Sequence, residues 1–186
     1  ETHMAFFKPG EQQLIQSTIG TWENQAQITL ITTGHKEDAS FQAISEELLS
    51  FFNPHPEIKA IKKESGLPGF QLKDNLLFSA FPLERELEPF LDALARLSAK
   101  KSDNTKLSSD IRESLSQIHM PVRLTLYIAL QCPFCPIMVK TLIPLALNCP
   151  HIVLHIIDGS LFPESAAKDK VMSAPCLILE DEFRWT

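Results

Sequence analysis

Two stretches of this chain, 96 residues apart, read as one unit written twice. "IQSTIGTWENQAQITL" (15–30) falls on "IRESLSQIHMPVRLTL" (111–126) without a gap. Ile15, Ile19 and Trp22 overlay Ile111, Leu115 and Ile118. A spacing of four and then three residues marks one face of a helix. "ITL" then overlays "LTL", the start of an apolar, β-branched strand. A repeat of this length must be satisfied before any other fold is considered, because each copy has to form the same set of elements.

The offset carries on. Pro54-His55 falls on Pro150-His151, and "EIKAI" (57–61) on "VLHII" (153–157), a second strand. Pro68 in "GLPGFQL" then matches Pro175 in "SAPCLIL" at an offset of 107, so the second copy holds 11 more residues, near "LFPESAAKDKV". That is about three helical turns, a crossover helix absent from the first copy. Each copy reads helix, strand, helix, strand, proline, strand, strand, which predicts an α/β layered fold. The first copy closes with "LERELEPFLDALARL" (83–97), whose Leu87, Phe90, Leu91 and Leu94 share a face. The second reaches Thr186, opposite Ser79, without such a helix. It is expected from a longer natural chain, or its place is filled by a partner in a dimer, since an uncovered face leaves an apolar patch. With Met4 read as the natural start and "SAKKSDNTK" (98–106) as a polar connector, the units are 4–101 and 102–186.

Composition narrows the function classes. A formal charge of −6 without a Lys/Arg block argues against a nucleic-acid partner. No apolar run could span a bilayer and no export signal opens the chain, so a cytoplasmic protein without membrane association is expected. The four cysteines, Cys132, Cys135, Cys149 and Cys176, crowd into the last third, unlike the spread framework of a secreted disulfide scaffold.

Cys132 and Cys135 form a C-x-x-C where "VRLTLYIALQ", a strand, meets "CPFCPIMVKTLIPLAL", a helix. Free N–H groups and the helix dipole gather positive charge at such a junction, lowering a thiol pKa and favouring the thiolate nucleophile. Cys135, one turn on, is placed to resolve a mixed disulfide on Cys132. Pro133 is expected at the first helical position, where it is tolerated. Pro136 would then distort the first turn and Pro144 kink the helix. Downstream, "MSAPCLIL" sets Ala174 and Pro175 before a strand, and a cis peptide there would turn backbone groups toward the sulfurs. Ala174, Pro175, Pro133 and Phe134 are therefore the candidate substrate-binding residues, with an extended substrate segment paired on Ala174. Cys176 reads as a buried strand thiol or an accessory redox partner. Cys149 reads as an inert helix-end residue. Zinc on the four cysteines is the rival reading, but Cys149 stands ~20 Å along the helix. A bridging iron–sulfur cluster and a non-catalytic docking module are further alternatives. No acid lies in the strand 123–130, so no general base is identified. Asp158 reads as a turn former.

Tyr127-x-x-x-x-Cys132-Pro133-x-Cys135 with "APCLIL" downstream resembles a glutaredoxin-type thioredoxin fold. The tandem arrangement resembles the N-terminal region of the flavoprotein subunit of bacterial alkyl hydroperoxide reductase, with archaeal tandem protein disulfide oxidoreductases next. The resemblance implies two tandem thioredoxin-like units, only the second with C-x-x-C, and Lys36-Glu37-Asp38-Ala39 stand where Cys132 to Cys135 do. It also implies exchange with a protein disulfide, an oxidised peroxiredoxin among the candidates. The family's flavoprotein continues into FAD- and NADH-binding domains. This chain has six glycines and no G-x-G-x-x-G, so no cofactor is expected and electrons must come from a separate reductase or dithiol donor. Ala129 stands where glutaredoxins carry a glutathione-holding Lys.

Overall fold

The structure, a computed structural model, describes residues 5–19, 28–52, 58–98 and 107–186. Trp22, the Pro54-His55 match, most of the connector and the boundary at 101/102 lie outside the described residues. The first unit runs α1 (Pro9–Ile19), β1 (Thr29–Thr32), α2 (Asp38–Ser50), β2 (Lys59–Lys62), β3 (Gly69–Lys73), β4 (Leu76–Ser79), a 3-10 turn at Glu84–Glu86, and α3 (Leu87–Ser98). The second runs α4 (Ser109–Ser116), β5 (Val122–Ile128), α5 (Cys135–Asn148), β6 (Ile152–Asp158), α6 (Pro163–Lys168), β7 (Cys176–Leu179) and β8 (Phe183–Trp185). Displaced by 96 residues, β1 and α2 land on β5 and α5; displaced by 107, β3 and β4 land on β7 and β8. The inserted residues form α6. The protein is α/β, with two tandem thioredoxin-like units.

The eight strands make one sheet, in the order β2-β1-β3-β4-β6-β5-β7-β8. Each half repeats a single pattern: the first two strands parallel, the third antiparallel beside the first, the fourth in a hairpin with the third. The halves join by parallel pairing of β4 with β6, in register from Leu76↔Leu154 to Ser79↔Ile157. This removes two sheet edges, each a row of unpaired backbone groups.

Helices α3 and α5 lie side by side over the seam, in contact with β3 and with β4 and β6 respectively. The apolar stripe of α3 is buried as its periodicity predicts: Leu87, Phe90, Leu91 and Leu94 are all inside, and the Phe90 ring stands 5.2 Å from both Phe70 and Phe78. The burial of the first helix differs between the copies. Ile15 of α1 is fully buried, whereas its counterpart Ile111 on α4 is 41% exposed. The physical reason is the neighbour. Helix α1 packs on α3, and among the described residues no helix of the second unit stands in the place α3 takes in the first.

Polar groups pin the seam from the β3–β4 hairpin. Asn75 is buried, and its amide nitrogen donates to three carbonyls of the second unit: Ala146 at 2.8 Å, Cys149 at 3.2 Å and Ile152 at 2.7 Å. The Asn75 backbone carbonyl accepts from the Leu154 N–H at 2.8 Å, and Lys73 Nζ reaches the Leu147 carbonyl at 2.8 Å. Ser79 Oγ meets His155 Nε2 at 2.8 Å across the same seam. Gly69 has no room for a side chain: a Cβ there would stand 2.5 Å from the Phe78 carbonyl oxygen.

Replacing Asn75 with Ala leaves these buried carbonyls without their donor, each unmade hydrogen bond costing about 1–3 kcal/mol. Asn75→Ala is therefore expected to lower the unfolding free energy by about 2–4 kcal/mol, read from urea midpoints at constant slope. A loss below about 0.5 kcal/mol, the ordinary range of surface substitutions, would mean that the hairpin does not bind the units together.

Candidate active site

Strand β5 ends at Ile128, and the chain turns at once: the Cys132 N–H donates to the Ala129 carbonyl at 2.9 Å. This brings the half-buried Cys132 sulfur into the gap ahead of α5. There it accepts a hydrogen bond from the Cys135 N–H at 3.1 Å and stands 3.5 Å from the Ala174 carbonyl oxygen, to which the thiol donates. The helix begins at Cys135, with Phe134 as its cap, and not at Pro133 as expected from the sequence. The correction removes the predicted distortion. Pro136 occupies the second helical position, where an N–H would have no partner within the helix, and the first i to i−4 bond is Met138 N–H to the Phe134 carbonyl at 3.3 Å. Pro144 lies inside α5 and is buried there.

Cys135 is fully buried. Burial pushes its thiol up to about 12, the Cys132 thiol and the charge of Glu86 adding to the rise and a backbone hydrogen bond at Ala129 opposing it. A group held in this way stays protonated until something takes its proton.

Glu86 is a candidate for that role, and sequence reasoning missed it. It comes from the first unit, at the end of the 3-10 turn leading into α3, and is fully buried. Among the described residues neither carboxyl oxygen has a hydrogen-bond partner. Burial, with a smaller contribution from the Asp158 charge, raises its pKa from 4.5 to about 7. Asp158, at the end of β6, is also raised by burial; its Oδ1 accepts from the N–H groups of Ser160 (2.8 Å) and Leu161 (3.3 Å), the turn-forming bonds that its sequence position predicts. One signal for Glu86 was present in the sequence: it lies four residues before Phe90, in phase with the buried stripe of α3.

The other candidate residues fall as follows. The Ala174–Pro175 peptide is cis and half-buried beside Cys132. Pro133 and Phe134 are exposed, Phe134 by 65%. Cys176 is buried and paired with Tyr127 in the β5–β7 ladder, so it shares that residue's face of the sheet. The Tyr127 hydroxyl bonds Ser165 at 2.9 Å and Asp169 at 2.7 Å, so this face is the one that α6 covers. Burial raises the Cys176 thiol, the Asp169 charge adding to the rise and Arg184 opposing it. Cys149 closes α5 and is buried, its thiol directed at the Leu115 carbonyl at 3.8 Å. Among the described residues no three His, Cys, Asp or Glu side chains are grouped so as to hold a metal ion.

The first unit has a counterpart of the site, filled differently. Asp38 opens α2, and its carboxylate accepts from the N–H groups of Gly34 (2.7 Å) and Thr33 (3.1 Å). The ring of His35 in the same loop stands 5.2 Å from the buried Phe162 of the second unit.

A tandem pair of thioredoxin-like units, one with C-x-x-C facing a cis-proline and one without, is the class defined by fold and site. No protein-family model matches the chain. Over 107 residues (58% of the chain) it is 30% identical to the alkyl hydroperoxide reductase component AhpF of Pseudomonas aeruginosa, and it spans 20% of that relative's length. In structure it is similar to AhpF from Enterococcus faecalis, with a TM-score of 0.80 at 19% identity, covering 98% of this chain and 94% of the other. A protein disulfide oxidoreductase from Aeropyrum pernix follows, with a TM-score of 0.76 at 16% identity, covering 96% and 86%. The resemblance carried by the sequence is thus borne out in sequence and in fold.

The raised Glu86 ties stability to pH. Between 4.5 and about 7 the folded chain holds a proton at Glu86 that the unfolded chain has released, so this contribution to stability falls as the pH rises through that window and is level above it. Glu86→Gln removes the titration. Its unfolding free energy relative to the parent protein is expected to climb from pH 4.5 to pH 7 and then stay constant, measured as paired urea titrations. Parallel curves for the two proteins would place the titrating group elsewhere.

Proposed function

We propose that the chain is a thiol–disulfide oxidoreductase that exchanges electrons between a dithiol donor and a protein disulfide. The observation that carries this reading is the Cys132 sulfur, half-exposed between the α5 N-terminus and Ala174, with a buried, proton-holding Cys135 directly behind it. Cys132, as thiolate, attacks one sulfur of the target disulfide. A mixed disulfide forms and the other target sulfur leaves as a thiolate. Glu86, as carboxylate, takes the Cys135 proton. The Cys135 thiolate attacks the Cys132 sulfur, closing the Cys132–Cys135 disulfide and releasing the second target thiolate. Two electrons pass from the dithiol to the target. The reverse sequence oxidises a target dithiol, and the reduction potential sets the direction.

The roles of the two units divide accordingly. Unit 102–186 carries the nucleophile. Unit 4–101 supplies the proton acceptor and a wall of the docking cleft. No helix among the described residues is long and apolar enough to cross a membrane, and a reducing compartment, the cytoplasm, suits a working dithiol. By likeness to AhpF, an oxidised peroxiredoxin is the proposed substrate, with a separate reductase or dithiol donor restoring the pair.

Oxidation is expected to remove two thiols per chain, reversibly. Cys132→Ser should lower reduction of a protein disulfide by at least about a hundredfold, as loss of a covalent nucleophile does, while Cys149→Ser leaves it unchanged. Cys135→Ser should accumulate a disulfide-linked complex with the substrate on a non-reducing gel. Glu86→Gln should slow release from the mixed disulfide by about a hundredfold without slowing its formation, and should abolish the rise of the release rate through pH 7. A potential near about −270 mV would mark a reductase, one near about −180 mV an oxidant or isomerase. Chelator-resistant stoichiometric zinc with no titratable dithiol would overturn the proposal.

A further inference from the structure

The two segments that meet at the Cys132 sulfur are without charge. Residues 129–139 and 171–179 contain no Asp, Glu, Lys, Arg or His, in a chain that is 22% charged and carries a net −6. Twenty residues of that composition would ordinarily carry about four charges. The side chains these segments expose are apolar and large: Phe134 at 65%, Ile137 at 61% and Met172 at 93%. Phe134 lies between the two cysteines, Ile137 on the outer face of the first turn of α5, and Met172 two residues before Ala174, whose carbonyl touches the Cys132 sulfur. Isolated exposed apolar residues need no explanation, but three around one nucleophile, on an otherwise acidic protein, do.

We infer that this face selects polypeptide disulfides whose flanking residues are uncharged and apolar, and that it turns away charged flanks of either sign. The inference rests on the thiol–disulfide reading of the site. Its physical basis is desolvation. To reach Cys132, a flanking side chain must pass over Phe134, Ile137 and Met172. An apolar side chain gains by this burial, whereas a charged one loses water and finds no counter-charge in either segment. The absence of a cation there equally removes any partner for the carboxylates of glutathione disulfide. Long-range attraction by the net charge of −6 would favour a basic substrate. The local face opposes it, and at the short range of a covalent attack the local term decides.

The test uses the whole reduced protein and short peptides with one central cysteine as its 2-thiopyridyl mixed disulfide. Attack by Cys132 on the peptide sulfur releases 2-thiopyridone, which is read by absorbance. Closure of Cys132–Cys135 then releases the peptide thiol. Peptides flanked by Leu/Val, by Asp and by Lys are compared, each rate divided by its rate with dithiothreitol. The Leu/Val peptide is expected to react about tenfold faster than both charged ones, with a rate constant flat between about 50 and 500 mM NaCl. Met172→Lys should reverse the order for the Asp peptide. A Lys peptide as fast as the apolar one, or glutathione disulfide matching it, would overturn the selection while leaving the redox reading intact. No thiopyridone release from any peptide would overturn the redox reading itself.

Discussion

Four consecutive residue pairs between β4 and β6 turn two small sheets into one. Parallel strands hydrogen-bond less well per residue than antiparallel ones, so this junction is reinforced: Asn75 and Lys73 clamp it from the hairpin, Ser79 and His155 bond across it, and α3 and α5 cover it. The register does more than hold. Ser79 ends β4 opposite Ile157, one residue before the end of β6, so the chain leaving β4 passes beside Asp158 and the mouth of β5. Glu86 follows seven residues later, within electrostatic reach of Cys135. A one-residue slip in the pairing would turn the faces of a whole strand over and carry that carboxyl away.

The site formed there is in tension with stability. A buried carboxyl without a hydrogen bond costs about 1–3 kcal/mol, and burial leaves the Glu86 charge poorly solvated and raises its pKa. Asp158 adds a second acid close enough to raise Glu86 further. The core offsets the strain: Phe90 packs edge to face on Phe70 and at a tilt on Phe78, over the strands that lead to Glu86. Burial also forces His155 to stay neutral, its pKa lowered to about 4 with help from the charge of Lys63. Polar groups under pressure thus collect along the line where the two units meet.

Much of this was legible in the sequence because repeats and local spacing are local facts. The offsets of 96 and 107 residues anticipated the strand pairs β1/β5 and β3/β7, and the extra residues became α6. Cys132, Cys135 and the cis peptide before Pro175 lie where strand, helix and strand signals put them. The helix start was misplaced by two residues because two prolines, at 133 and 136, each suit a helical first turn and sequence alone does not choose between them. Glu86 was missed for a deeper reason. Its partners belong to the other unit, and the β4–β6 register that brings them together leaves no trace in either stretch. The burial of Ile15 against the exposure of Ile111 has the same origin: identical patterns, different neighbours.

Asp38 shows how duplication becomes permanent. In the first unit its carboxylate fills the backbone donors of Thr33 and Gly34, in the loop that corresponds to the one leading to C-x-x-C in the second, and the adjoining His35 rests on Phe162. Exchanging Lys36 and Ala39 for cysteines would restore the motif but not the surroundings, since the Asp38 carboxylate would still hold the loop and His35 would still lie on Phe162. Once one copy's loop serves as the other's foundation, the two halves are no longer interchangeable, and each is shaped by the other.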